Sequence, residues 1–479
     1  MTEAVSSNDR DPEIRRSEAT SRLPWHVNAL DLMTLLLLVL AALASTGGGF
    51  RFSIASVHVS LRSWPRLLAL ALTCWAVRHM LWRPTPLHAR VMTWNRRSTL
   101  GLARLAVIVV FLLTIGQFYD SETGFTSLII FGDRFYETSL PAVRDSPHYV
   151  YKNSSGYDSQ FYAQLALVPL LRDRLIDRAV DTPPYRARRI LFAWTAYVMG
   201  LGRTTWVLNA YALQGVVAWL VLTWVLLSWF PATTGRHGFL WVSCLFSSGL
   251  AGSVRMALLD APSMLLIAVA VLAVERNRSR IGAAVLGLSG LGRETNLLAG
   301  GMLFEGRPRT REEWGRTVGY LAAVVLPLVC WALYVKSIYP TSPEPAPNNF
   351  AEPFLGYLST ARMTISEIAT AGFWPARFKV VVLATLTTQV LFLACNRMWR
   401  DPWWRVGAGY ALLMPFLGLI VWDGHSGAVM RVLLPMTFAF NVLLLETKSR
   451  WFWPLAIAGN LHVWNGIAVL EVPWIAHWL

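Results

Sequence analysis

The sequence predicts an all-α protein that crosses a membrane many times, and three observations carry that reading. Of its 479 residues, 54% are hydrophobic and only 15% charged, well short of the roughly one quarter charged that is usual in soluble chains. The mean hydropathy is +0.43. Apolar stretches near the ~20 residues needed to cross hydrocarbon recur along the whole chain. They are continuous instead of alternating, which favours helices over a barrel.

The elements follow in order. Residues 1–24 are polar, carry Arg10, Arg15, Arg16 and Arg22, and lack an apolar signal core, so they read as a disordered cytoplasmic tail with no removable signal peptide. Two spans, at 28–46 and 65–82, occupy a segment 25–100. A third at 101–118 opens the main membrane domain, 101–479. The long loop 119–203 contains "LVPLLRDRLIDRAV" and "RRILFAWTAYVMGLG", whose helical spacing of apolar residues predicts two helices lying in the membrane interface. Between them "DTPPYR" reads as a turn, because Pro183 and Pro184 oppose a helix.

Further spans are expected at 205–229, 239–255, 317–338, 373–395, 404–422, 427–445 and 451–470, with shorter runs at 261–275, 281–292 and 296–304. Together these make about thirteen helical passes. The run 281–304 is barely long enough for one crossing, yet basic loops flank it on both sides. It should therefore enter and return as two short helices with Gly292, Arg293 and Glu294 at the tip. Residues 339–372 read as a loop.

Short arginine-rich loops set the expected orientation. Arg83, Arg90, Arg96 and Arg97, then Arg276, Arg278 and Arg280, then Arg307 to Arg316, then Arg397, Arg400 and Arg405 all mark the cytoplasm. The N-terminus then lies inside, and the segment 119–203, the turn at Asp260, the loop 339–372 and the loop Asp423 to Arg431 lie outside. The localisation expected is the inner (plasma) membrane. Of 43 basic residues only Lys152, Lys336, Lys379 and Lys448 are lysines. That bias fits either a GC-rich genome or a phosphate-handling face, since guanidinium binds phosphate as a bidentate fork.

Several classes recede on the same evidence. Nucleic acid is a poor partner, because the basic residues are spread over membrane-bounding loops without a nucleic-acid motif. Cys74, Cys244, Cys330 and Cys395 stand singly in apolar segments and read as small buried hydrophobes. No inverted repeat suggests a secondary transporter. The many tryptophans read as interfacial belts.

Chemistry-bearing residues converge on the expected outer face. Asp158 stands in "GYDSQFYAQLALVPL" among Tyr157, Gln160 and Tyr162, with Arg186, Arg188 and Arg189 about thirty residues on. Asp260, in "RMALLDAPSMLL", follows one span, precedes the next and is placed to cap a helix. "GLSGLGRETNLLAGG" carries Arg293 and Glu294, which could pair with each other or serve a site. "DGHSGAVMRVLLP" delivers Asp423, His425 and Arg431. His425 lacks a second histidine at ligand spacing, so no metal site is read there.

The order "YDSQFY", "YRARRIL", "LLDAPSMLL", "GLGRETNLL" and "RVLLP" resembles the GT-C superfamily of polyprenyl-phosphate-sugar glycosyltransferases, in particular the bacterial cell-surface glycopolymer group. Aminoarabinose and protein-mannose transferases are more distant by this pattern. The resemblance covers roughly residues 105–445 and implies a GT-C-like bundle that moves a sugar from a polyprenyl-phosphate donor to an extracytoplasmic glycan or lipid acceptor. It makes Asp158 the catalytic base, Asp260 a second acid of the site, and Arg188, Arg189, Arg293 and Arg431 the cations on the donor phosphate. Tyr157, Gln160, Tyr162, Glu294 and His425 would contact substrate. Ser159 departs from the family's glycine after the acid, Asn296 stands near where glycine is more frequent, and two extra spans precede the usual first helix. No cofactor is called for, and a divalent metal stays open. A transporter or flippase of lipid-linked sugars and a non-catalytic GT-C-like assembly partner are the alternatives.

Overall fold

The computed structural model describes residues 24–47, 51–54, 57–60, 64–82, 87, 96–304, 306, 310–340, 349–423 and 428–472. The expected tail falls outside these residues apart from Pro24, and so does His425. Helices dominate, with strands confined to two-residue and four-residue pieces. Among the described residues four helices are long and apolar enough to cross a membrane: Thr99–Gly116, Thr204–Ser228, Arg311–Ile338 and Phe373–Cys395. This is a mostly helical membrane protein.

The chain forms two compact units, residues 1–51 with 59–109 and residues 52–58 with 110–479. In the first, helices Trp25–Gly47 and Trp64–Leu81 pack against each other. Their contact encloses a buried ion pair in which Arg78 Nε donates to Asp31 Oδ1 at 2.6 Å, while Arg78 Nη1 caps the carbonyl of Trp82 at 3.0 Å. An apolar helix tolerates such charges only when they are mutually satisfied.

In the second unit the expected spans are interrupted more than hydropathy shows. The run 239–255 is two helices, Gly235–Leu245 and Ser248–Arg255, with the Ser247 hydroxyl donating to the Cys244 carbonyl at the break. The run 404–422 becomes helix Pro402–Leu413, a 3-10 turn at Met414–Phe416 that contains Pro415, and a short helix Leu419–Trp422. The run 427–445 divides at Leu433 into Ala428–Val432 and Leu434–Glu446, and 451–470 into Phe452–Ala458 and Val463–Val469. Backbone leaves the helix where freed polar groups find partners, as the carbonyls of Pro415 and Phe416 do with the Phe354 and Ala351 N–H groups. Residues 281–304 likewise form a helix, Ser279–Gly290, and a 3-10 run, Glu294–Leu303, meeting around Gly292.

Three expectations fail. Most of "LVPLLRDRLIDRAV" is turns, with only Ile176–Ala179 helical, whereas "RRILFAWTAYVMGLG" forms Leu191–Met199. "DTPPYR" is not a plain turn: Pro183 and Pro184 open the helix Pro183–Ala187, where the missing N–H groups would be unpaired in any case. Residues 339–372 hold the helix Leu355–Ala371, which buries Gly356, Thr360 and Thr364 and exposes Leu355, Leu358 and Ile365. Its small residues face inward and its apolar ones outward, as in helices that pack within a membrane. Cys244 is buried as expected, but Cys330 and Cys395 are exposed on their helices.

Candidate active site

The long segment 119–203 folds onto the helical core and is held there by its own polar side chains. Gly156 adopts φ +69°, and a Cβ there would lie 2.5 Å from the Gln160 amide, so glycine is required where the chain turns into helix Asp158–Leu165. Gln160 accepts the Gly132 N–H at 3.1 Å and donates to the Ser155 carbonyl at 2.8 Å. Gln164 accepts from Leu140 N–H and donates to the Ala179 carbonyl, and the Ser159 hydroxyl accepts the Ile130 N–H. Gln160 is therefore a brace whose amide is spent on the backbone, not a substrate contact. Ser159, the departure from glycine, has a structural use of the same kind.

Asp158 opens its helix without a side-chain capping bond. Its Oδ1 instead accepts from Arg186 Nη2 at 2.9 Å, and Arg186 also grips Asp181, Nε to Oδ1 at 3.0 Å and Nη2 to Oδ2 at 2.9 Å. Arg189, on the same face three residues on, donates to Glu294 Oε2 at 2.8 Å, Tyr185 hydroxyl at 2.8 Å and Tyr162 hydroxyl at 3.1 Å. The two segments are also joined where the Leu191 N–H meets the Leu291 carbonyl at 3.1 Å. Arg188 is half-buried at the end of the helix Pro183–Ala187.

Asp260 is the first residue of helix Asp260–Glu275 but makes no cap, so that expectation is also corrected. Its carboxylate, 3% exposed, is taken by two guanidiniums: Arg293 pairs with Oδ1 and Arg431 Nη1 lies 3.4 Å from Oδ2. Arg293 and Glu294 thus pair elsewhere and not with each other. Arg431 is buried and does not snorkel; its Nη2 donates to the Tyr157 hydroxyl at 2.7 Å. It is brought there by the short helix Ala428–Val432, which lies so close to helix Ser248–Arg255 that a Cβ on Gly249 would meet the Met430 carbonyl. Asp423 pairs with Lys379 at 3.1 Å.

The chain matches no model of a known family, no curated protein and no solved structure.

Charge within the cluster is uneven. At one end Asp260 sits between Arg293 and Arg431, two cations against one anion, a local excess of one positive charge. At the other, Arg186 bridges the carboxylates of Asp158 and Asp181, and Arg189 pairs with Glu294, so the acids there are matched by cations. Tyr157 joins the ends, bonded to Arg431 and adjacent in sequence to Asp158. Burial pushes the Asp158 carboxyl up, but Arg186, with Arg431 and Arg189 beyond, outweighs it and holds the group below the ordinary carboxylate range. Asp158 is 41% exposed, which gives a ligand access to the acid.

At the positive end Nε of Arg293 and Nε of Arg431 are buried with no hydrogen-bond partner among the described residues. The space they border, with Asp260, Asn296 and Tyr410, is only about 10 Å³, room for one water. Side chains there must move to admit a phosphate. The sequence reading missed Asp181, Tyr185 and the leading part played by Arg186. The i, i+3 spacing of Arg186 and Arg189 was the available signal, because it places those two on one face and Arg188 off it.

Proposed function

We propose that this protein is a polytopic glycosyltransferase of the inner (plasma) membrane, with about thirteen helical passes and a cytoplasmic N-terminus, that transfers a sugar from a polyprenyl-phosphate donor to an extracytoplasmic acceptor. The observation that carries the reading is the uneven charge, a partly exposed carboxylate at one end of the cluster and a pair of guanidiniums with unused donors at the other. Glycosyl transfer needs that polarity. The acceptor hydroxyl gives its proton to Asp158 while its oxygen forms a bond to the anomeric carbon. The bond from that carbon to the phosphate oxygen breaks, and its electron pair leaves with the lipid phosphate, whose charge falls to Arg293 and Arg431. Arg189 and Arg188 lie on the neighbouring segment as further cations, and Glu294 holds Arg189 in place.

The low proton affinity of Asp158 keeps it ionised, and proton transfer to it is then late, as the attacking oxygen becomes acidic on bonding to carbon. Attack from the face opposite the phosphate inverts the anomeric centre. The choice of a glycosyl substrate rests on the motif order, which resembles that of the GT-C superfamily, and the apolar helices suit a donor anchored in lipid.

The experiment is transfer of radiolabelled sugar from polyprenyl-phosphate donors to membrane or glycan acceptors by the purified full-length protein. Labelled product of inverted configuration is expected. Movement of donor across a vesicle bilayer without a new glycosidic bond would replace this reading with a transporter, and neither activity would leave an assembly partner.

A further inference from the structure

A second space opens on the other side of Tyr157. It is a cleft of about 320 Å³ walled by Ser154, Tyr157, Arg255, Met256, Val469 and Glu471. That volume reaches the ~300 Å³ at which small-ligand pockets begin, whereas the space at Asp260 holds a single water. Its walls mix hydroxyls with apolar carbon, the surface a sugar ring presents in return. Tyr157 is shared with the charged cluster and precedes Asp158, so the cleft adjoins the segment that carries the proposed base.

Arg255, the last residue of helix Ser248–Arg255, gives the cleft its selectivity. Its guanidinium lies 4.3 Å from the centre of the Phe118 ring, and its Nη2 donates to Glu471 Oε1 at 3.2 Å. Nε and Nη1 are buried and have no hydrogen-bond partner among the described residues, so neighbouring side chains must move before a ligand in the cleft reaches them. Unused donors on a largely buried guanidinium are costly unless something accepts from them, and the edge that grips an oxyanion in a fork is Nε with Nη2, the nitrogen that Glu471 now holds. Glu471 is 58% exposed and its pairing is solvent-screened, so it yields readily to a stronger anion.

We infer that this cleft is the acceptor site, and that Arg255 selects a hydroxylated acceptor bearing an oxyanion, carboxylate or phosphate, near its attacking hydroxyl. The inference rests on the glycosyltransferase reading for the word acceptor alone; the binding preference stands independently of it.

Binding of glucuronate, glucose 6-phosphate and glucose to the full-length protein in nanodiscs, measured by calorimetry, tests it without turnover. At least tenfold tighter binding of one or both anionic probes than of glucose is expected, and which probe wins tells carboxylate from phosphate. Arg255→Gln should abolish the preference. Ala468 also lines the cleft, and Ala468→Trp, which fills it without touching its charge, should weaken all binding, whereas Asp158→Asn should leave the preference intact. Equal binding of the three probes, binding of none, a preference that survives Arg255→Gln, or binding unchanged by Ala468→Trp overturns the inference. In the transfer assay Arg255→Gln should raise the acceptor KM and leave the donor KM unchanged; a raised donor KM instead would assign the cleft to the donor and overturn it too. Intact anion preference with no sugar transfer would sink the glycosyltransferase reading while leaving the cleft as an oxyanion site.

Discussion

In the proposed reaction a single carboxylate, Asp158, accepts a proton while a guanidinium holds one of its oxygens at 2.9 Å. Asp158→Asn preserves shape and removes basicity, so transfer should fall by about 10²–10⁴ while donor binding persists. Wild-type transfer by that variant at normal protein level would move the role to another acid. The pH profile follows from the sign of the shift. Because the Asp158 pKa is depressed, the ionised base persists below the usual carboxylate range, and activity is lost only as pH falls through that lowered value. Arg186→Gln removes the largest opposing influence and leaves burial to act, so the acid limb of the kcat profile should move to higher pH. An unmoved limb would mean that Asp158 is not the group being titrated.

At the scale of elements, the site depends on how closely broken helices approach. Gly249 lets the Arg431 helix lie against Ser248–Arg255, with the Met430 carbonyl where a side chain would begin. Gly249→Val must displace that helix, and a shift of about 1 Å can cost ~10²-fold in rate. We expect transfer to fall and the donor KM to rise in a protein that still purifies as a monodisperse species; unchanged kinetics would show that Arg431 is not positioned this way. Element positions in the main unit were legible where apolar runs are unbroken, as in Phe373–Cys395, which spans the expected 373–395. They were illegible at the breaks near Ser247, Pro415 and Leu433, since hydropathy reports the solvent around a segment and not whether its backbone is helical. The helix Leu355–Ala371 was missed because its inward face is glycine and threonine.

For the whole molecule, orientation is the claim with most at stake, because every proposed role for 119–203 needs it on the side where donor and acceptor meet. Short basic loops predict that Ser155 lies opposite the N-terminus. A cysteine introduced at Ser155 should react with an impermeant thiol reagent from the extracytoplasmic side in a background with the native cysteines replaced. Labelling from the cytoplasmic side alone would invert the topology and with it the supply of substrates.

The sequence by itself determined that the chain is a helical membrane protein and which acids and arginines are the candidates for its chemistry, because both follow from residue type and from the solvent each segment can tolerate. It also marked the turn at Gly292, where two basic flanks compete for one side. Only the tertiary structure decided the pairing: Arg293 with Asp260 and not Glu294, Glu294 with Arg189, Asp158 with Arg186, and Gln160 with the backbone. Ion pairs between segments that are 28 to 105 residues apart are set by which faces pack together. Guanidiniums and carboxylates of the same type are interchangeable in a sequence, and only distance in the folded chain tells them apart.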